Sequence, residues 1–149
     1  MVSNYLGRRI PEVVHRYPSY RFDIARGRVS RGDRQLISEL EGTVARLVDE
    51  FQVHRLFCPV GVGLHVDHLI TRRLGEAFSD RVVYYSDFPY DQQQRPDNRF
   101  LQSRKLTPWV WQDRIVEKQD LIRKYATQVD ALFAQGHIPL APETYYLPA

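Results

Sequence analysis

Apolar positions recur at helical spacing in residues 30–52. In SRGDRQLISELEGTVARLVDEFQ, the residues Leu36, Ile37, Leu40, Val44, Leu47, Val48 and Phe51 make one stripe, which predicts an amphipathic helix opened by Ser30 or Asp33 as its cap. The pattern then changes. VHRLFCPVG, residues 53–61, is short, apolar and β-prone and stops at Pro59 and Gly61, so a buried strand is expected over 53–60. A second helix should start near Asp67 and run through Leu69, Ile70, Leu74, Ala77 and Phe78, and RVVYYSDFPY should form the next strand, ended at Pro89. Residues 91–108 are polar and turn-rich and predict a long loop. A last helix is expected over 113–136, with Ile115, Leu121, Ile122, Tyr125, Val129, Leu132 and Phe133 on one face and Gly136 as its stop; the Pro-broken stretch 138–149 should be extended.

Helix, strand, helix, strand, helix predicts an α/β layered fold with a parallel sheet flanked by helices. The pattern provides two clear strands where sheets usually have about 4–6. The missing strands either hide in residues 1–30 and 138–149, or lie outside this chain.

The bulk composition narrows the function classes. With 149 residues, 43% apolar and 26% charged, the chain has the size and balance of one globular domain, 1–149. No apolar run approaches a membrane span, and MVSNYLGRRIPEVV lacks the apolar core of a secretory signal. The single cysteine, Cys58, lies within an apolar run and reads as an inert buried thiol. It suits a reducing, cytoplasmic setting. The net charge of +3 is uneven: residues 1–34 hold eight arginines against Glu12, Asp23 and Asp33, and the rest holds thirteen basic and fifteen acidic residues. No basic stripe is interleaved with aromatics, so nucleic acid is not an expected partner. Solvation explains most of these arginines.

Candidate chemistry centres on His65-Val66-Asp67-His68, which follows the first strand where open α/β sheets collect ligands. Gly61 and Gly63 allow the backbone to turn tightly there. Catalytic zinc takes about three protein ligands and keeps one open position, and a neighbouring carboxylate often fixes the tautomer of an imidazole. The tetrapeptide can provide one ligand, one catalytic imidazole and one carboxylate. It can equally be a helix start, with Asp67 as cap. His15, His54 and His137 are scattered and read as surface or satisfied core histidines, and no HExxH, paired-cysteine, GxSxG or phosphate-loop motif occurs.

Taken together and in order, several segments resemble the PIG-L/LmbE-like family of zinc-dependent N-acetylglucosaminyl deacetylases. CPVGVGLHVDHLITRRLGEAF is similar to that family's second motif, H-P-D-H, with Val66 in place of Pro. VVYYSDFPY resembles the strand that follows, EKQDLIRKYATQVDALF the late helix and PETYY the closing strand. The likeness runs from about residue 30 onward. It implies a Rossmann-like three-layer domain that hydrolyses the N-acetyl amide of a sugar conjugate, with zinc as Lewis acid and water activator. By position, His68 would be the zinc ligand, His65 would stabilise or protonate the tetrahedral intermediate, and Asp67 would be the carboxylate beside them. The family's first motif, A-H-P-D-D-E, which brings two ligands and the general base, has no counterpart here. The resemblance therefore implies a C-terminal portion, lacking the N-terminal strands and inactive alone, with the remaining ligands on a separate N-terminal half or reached in a homo-oligomer. Asp87 or Asp91 would be poor substitutes, since nothing in the sequence places either on the metal. The alternative is a non-catalytic module that binds a sugar or a protein on the same scaffold. Trp109 and Trp111 could stack on a sugar ring, although packing at the base of the last helix is the favoured expectation for both. A third possibility is an unrelated domain of this architecture in which HVDH only caps a helix.

Overall fold

A computed structural model of the chain describes residues 27, 29–133 and 136–149. His15, most of the arginine-rich segment 16–34 and any strand within residues 1–26 lie outside the described residues. The first helix, α1 (Arg34–Glu50), follows a short 3-10 turn in which Ser30 Oγ accepts the Gly32 N–H at 3.2 Å. Strand β1 (Leu56–Pro59) leads through a glycine-containing turn to helix α2 (Val66–Glu76), and then to β2 (Val82–Tyr85). The two strands pair in parallel, Leu56 opposite Val82 and Cys58 opposite Tyr84. These elements follow the hydrophobic pattern closely. Ile37 of α1 packs against Val66, Ile70 and Leu74 of α2, and each of these apolar side chains contributes roughly 1.5–3 kcal/mol by leaving water.

Beyond β2 the structure departs from the pattern. Residues 91–108 are not one loop: Asn98–Ser103 form helix α3, with Asp97 Oδ1 accepting the Arg99 and Phe100 N–H groups, and strand β3 spans Leu106–Trp111. Pro108 masks that strand in the sequence. Among the described residues β3 is an edge strand, the position where sheets tolerate proline. The expected helix over 113–136 divides into α4 (Ile115–Arg123) and α5 (Ala126–Leu132), since Tyr125, at φ −82° and ψ 54°, leaves the helical region. Neither half buries a residue fully; of the apolar face read from periodicity, Phe133, just past α5, is buried, Ile115, Ile122 and Val129 are half-buried, and Leu121, Tyr125 and Leu132 are exposed.

Residues 143–148 form β4 (Glu143–Pro148), which lies between β2 and β3 and runs antiparallel to both. Among the described residues the sheet is therefore four-stranded and mixed, in the order β1-β2-β4-β3, and not the parallel sheet expected. One face carries Cys58, Val82, Tyr84 and Tyr146, covered by α2 and by Phe100 of α3. By alternation the other face carries Phe57, Val83, Trp109 and Tyr145. Phe57 is 57% exposed and Trp109 52% exposed, so this face is only partly covered; both tryptophans belong to β3, and Trp111 also lines a groove against the start of α4, whereas Trp109 does not. Among the described residues no helix is long and apolar enough to cross a membrane.

Candidate functional site

The site lies at the carboxyl ends of the two parallel strands. After Pro59 and Val60 the backbone turns through Gly61 at φ +83° and Gly63 at φ +79°. A Cβ on Gly61 would stand 2.9 Å from Leu69 Cδ2, so a side chain there meets both strain and a clash. Arg72 braces the same turn: its Nη1 donates to the Val60 carbonyl at 3.1 Å and its guanidinium lies 4.1 Å from the centre of the Phe100 ring.

Asp87, just beyond β2, ties this turn to the second strand. Its side chain is fully buried, and Oδ2 accepts the N–H groups of Gly61 and Val62, each at 2.8 Å. The other oxygen, Oδ1, lies 2.9 Å from His68 Nδ1. That approach is short but lies off the line of an aligned hydrogen bond, so it is a close electrostatic contact. It favours a proton on Nδ1 and leaves His68 Nε2 as the nitrogen available to a ligand. The His68 ring is flanked by His65, with centroids 5.6 Å apart, and by Tyr90 at 5.9 Å.

His65 caps α2. Its Nδ1 accepts the Asp67 N–H at 3.3 Å, while Asp67 Oδ2 stands 3.9 Å from the same nitrogen. Accepting that bond requires Nδ1 to be bare, so a neutral His65 carries its proton on Nε2. Burial lowers the His65 pKa; the Asp67 charge opposes that shift and His68 adds to it.

The structure thus gathers His65, Asp67 and His68 at one helix start. It also adds a residue that the sequence does not mark as an orienting group. Asp87 makes a 2.9 Å approach to the His68 imidazole, and Asp67 Oδ2 stands 3.9 Å from that of His65. The available signal was a lone aspartate directly after a strand adjacent to the His-bearing turn. Asp91 is engaged elsewhere, accepting from the buried Ser86 hydroxyl at 2.6 Å. Among the described residues no group of three or more His, Cys, Asp or Glu could hold a metal ion. His54 and His137 are exposed and distant from this chemistry in the chain. Cys58 is buried, and burial pushes its thiol up to about 11, as suits an inert side chain.

Compared with protein-family models, curated proteins and solved structures, the chain matches none of them.

Proposed function

We propose that this chain is one portion of a zinc-dependent N-deacetylase acting on an N-acetylglucosamine-type conjugate, with His68 as one ligand and the remaining donors on a separate segment or copy. The observation that carries this reading is the buried Asp87 carboxylate, held by two backbone N–H groups and set 2.9 Å from His68 Nδ1. Carboxylates commonly stand behind metal-ligating imidazoles in this way, fixing the tautomer and raising the basicity of the far nitrogen. The fit extends to one ligand position, since the described residues contain no three-donor cluster.

When bound, zinc would polarise the acyl carbonyl and lower the pKa of water. The chain's own contributions are simpler. His65, neutral because of its burial and bare at Nδ1, presents an Nε2–H that can donate to a developing oxyanion. Asp87 orients His68 and pins the turn, and Gly61 and Gly63 allow that turn to approach a substrate closely.

The incomplete donor set also favours a second reading, a non-catalytic module that binds a sugar or a protein on the same scaffold. Zinc chloride titration followed by NMR of the imidazole nitrogens separates the two. The deacetylase reading expects weak, fast-exchange perturbation centred on His68 Nε2, absent in His68→Ala and not shared by His54 or His137. No response at His68 would remove the ligand assignment and leave the binding module. Tight binding abolished by His68→Ala would show a complete site in this chain and refute the need for outside donors.

A further inference from the structure

Asp87 attracts one edge of the His68 ring but does not set its plane. Oδ1 stands 2.9 Å from Nδ1, yet the approach lies off the line of a hydrogen bond. The last side-chain torsion of a histidine is broad and roughly two-fold, so the imidazole turns easily unless its neighbours hold it. The His68 side chain is 31% exposed, and packing on its remaining surface must supply that hold.

Two rings stand against it. The His65 ring is 5.6 Å away, centre to centre, and the Tyr90 ring 5.9 Å away at 68°, an edge-to-face arrangement at a distance where aromatic pairs attract. His65 caps the same helix that carries His68. Tyr90 comes from the segment after β2 and is fixed there by its own bonds. Its N–H donates to the Asp87 carbonyl at 2.8 Å, and its carbonyl accepts the Gln93 and Gln94 N–H groups at 3.1 and 3.0 Å. The next residue, Asp91, accepts from the Ser86 hydroxyl at 2.6 Å, and the Ser86 N–H donates to the Thr144 carbonyl of β4 at 2.9 Å. Ser86 is buried, so this clamp rests on the sheet itself. Residues 86–91 thus bring the carboxylate and the aromatic ring to His68 as one unit. Tyr90 is 43% exposed, so burial in the core does not account for its placement.

We infer that Tyr90 is a positioning residue for His68: its ring fixes the rotation of the imidazole, so that Nδ1 stays beside Asp87 and Nε2 faces one direction. The functional meaning of that role rests on the reading of His68 as a metal ligand. Without the Tyr90 ring, the imidazole would turn and Nδ1 would leave Asp87 part of the time. The ring proton would then move onto Nε2, the nitrogen that a metal needs bare.

Long-range proton–nitrogen correlation spectra of the full chain test this, recorded without zinc at about pH 8, where an ordinary histidine is neutral. Tyr90→Leu removes the ring but keeps an apolar side chain, and Tyr90→Phe keeps the ring without the hydroxyl. Tyr90→Leu should raise the Nε2-protonated share of His68 about threefold or more, whereas Tyr90→Phe should match the parent. Zinc chloride added to the same samples should act on His68 with roughly tenfold weaker affinity in Tyr90→Leu, the scale of losing a group that orients a ligand. Urea midpoints of both variants should stay near the parent's, because the side chain is half exposed. A purely structural role would instead lower the Tyr90→Leu midpoint and leave the tautomer ratio in place, which would overturn the proposal. So would a Tyr90→Phe chain that shifts as Tyr90→Leu does. A parent chain in which zinc leaves His68 unmoved would remove the ligand reading instead, and the tautomer ratios would still decide the role of Tyr90.

Discussion

Asp87 Oδ1 and His68 Nδ1 lie 2.9 Å apart, although one residue follows β2 and the other belongs to the first turn of α2. The same carboxylate accepts two N–H groups of the turn that leads into α2. One side chain therefore sets both the shape of the turn and the preferred tautomer of the imidazole.

Replacing Asp87 separates those two duties. Asp87→Ala leaves the Gly61 and Val62 N–H groups without their acceptor and should cost roughly 2–4 kcal/mol in chemical denaturation. Asp87→Asn retains an amide oxygen for the turn but presents a donor to His68, which should move the ring proton from Nδ1 to Nε2. Long-range proton–nitrogen correlation spectra report that exchange directly, and an unchanged tautomer would remove Asp87 as the orienting group.

His65 should give the chain an acid-sensitive share of its stability. Its folded pKa lies below the ordinary histidine value because of burial, so the unfolded chain takes up a proton first as pH falls. The stabilisation by neutral His65 is complete above about pH 6.5 and is lost as pH drops through the folded pKa. Protonation of Nδ1 would also abolish the cap on the Asp67 N–H. His65→Asn keeps a capping oxygen without a titrating group, and its melting temperature should fall less than the parent's between pH 7 and 5. Equal slopes would show that His65 is not the source.

Two glycines within helices should respond in opposite directions to alanine. A Cβ on Gly75 would stand 2.7 Å from Cys58 Sγ and 3.0 Å from Val82 Cγ2, where α2 packs on the sheet. Gly75→Ala should therefore cost about 1–3 kcal/mol. Gly42, on α1, has nothing within 4 Å of such a Cβ, and Gly42→Ala should add about 0.5–1 kcal/mol through helix propensity alone. Urea midpoints of the two variants should move apart, and a harmless Gly75→Ala would contradict the close packing of α2.

Cys58 should resist alkylation in the native chain. Its thiol is buried and pushed up to about 11, so little thiolate exists at pH 8. Iodoacetamide, followed by mass spectrometry, should modify it only as denaturant unfolds the chain. Rapid native labelling would mean that α2 and β1 separate readily.

The part of the fold around the site was legible in the sequence because each element there keeps one periodicity between clear stops. β1 stops at Pro59, α2 buries Ile70 and Leu74 of the stripe read through Leu69, Ile70, Leu74, Ala77 and Phe78 although it ends at Glu76, and β2 is the apolar run Val82–Tyr85. The sheet beyond β2 was not legible. Pro108 hides an edge strand, and Asp97 opens a six-residue helix too short to show a stripe. The antiparallel course of β4 depends on pairing with two distant strands, which no local pattern records. The histidines of the site were visible as a cluster, whereas Asp87 gains its role only from the parallel pairing that brings the two strand ends together.

The placement of β4 also sets an order of assembly. It lies between β2 and β3 and, among the described residues, is the only strand that pairs with β3, yet it follows both of them in sequence. On the ribosome, β1, α2 and β2 can associate as soon as residue 85 clears the exit tunnel, while β3 must wait for its pairing with β4 until residues 143–148 emerge. A nascent chain stalled before residue 143 would therefore hold its histidine cluster on the paired β1 and β2, with Trp109 and Trp111 not yet joined to them through β4.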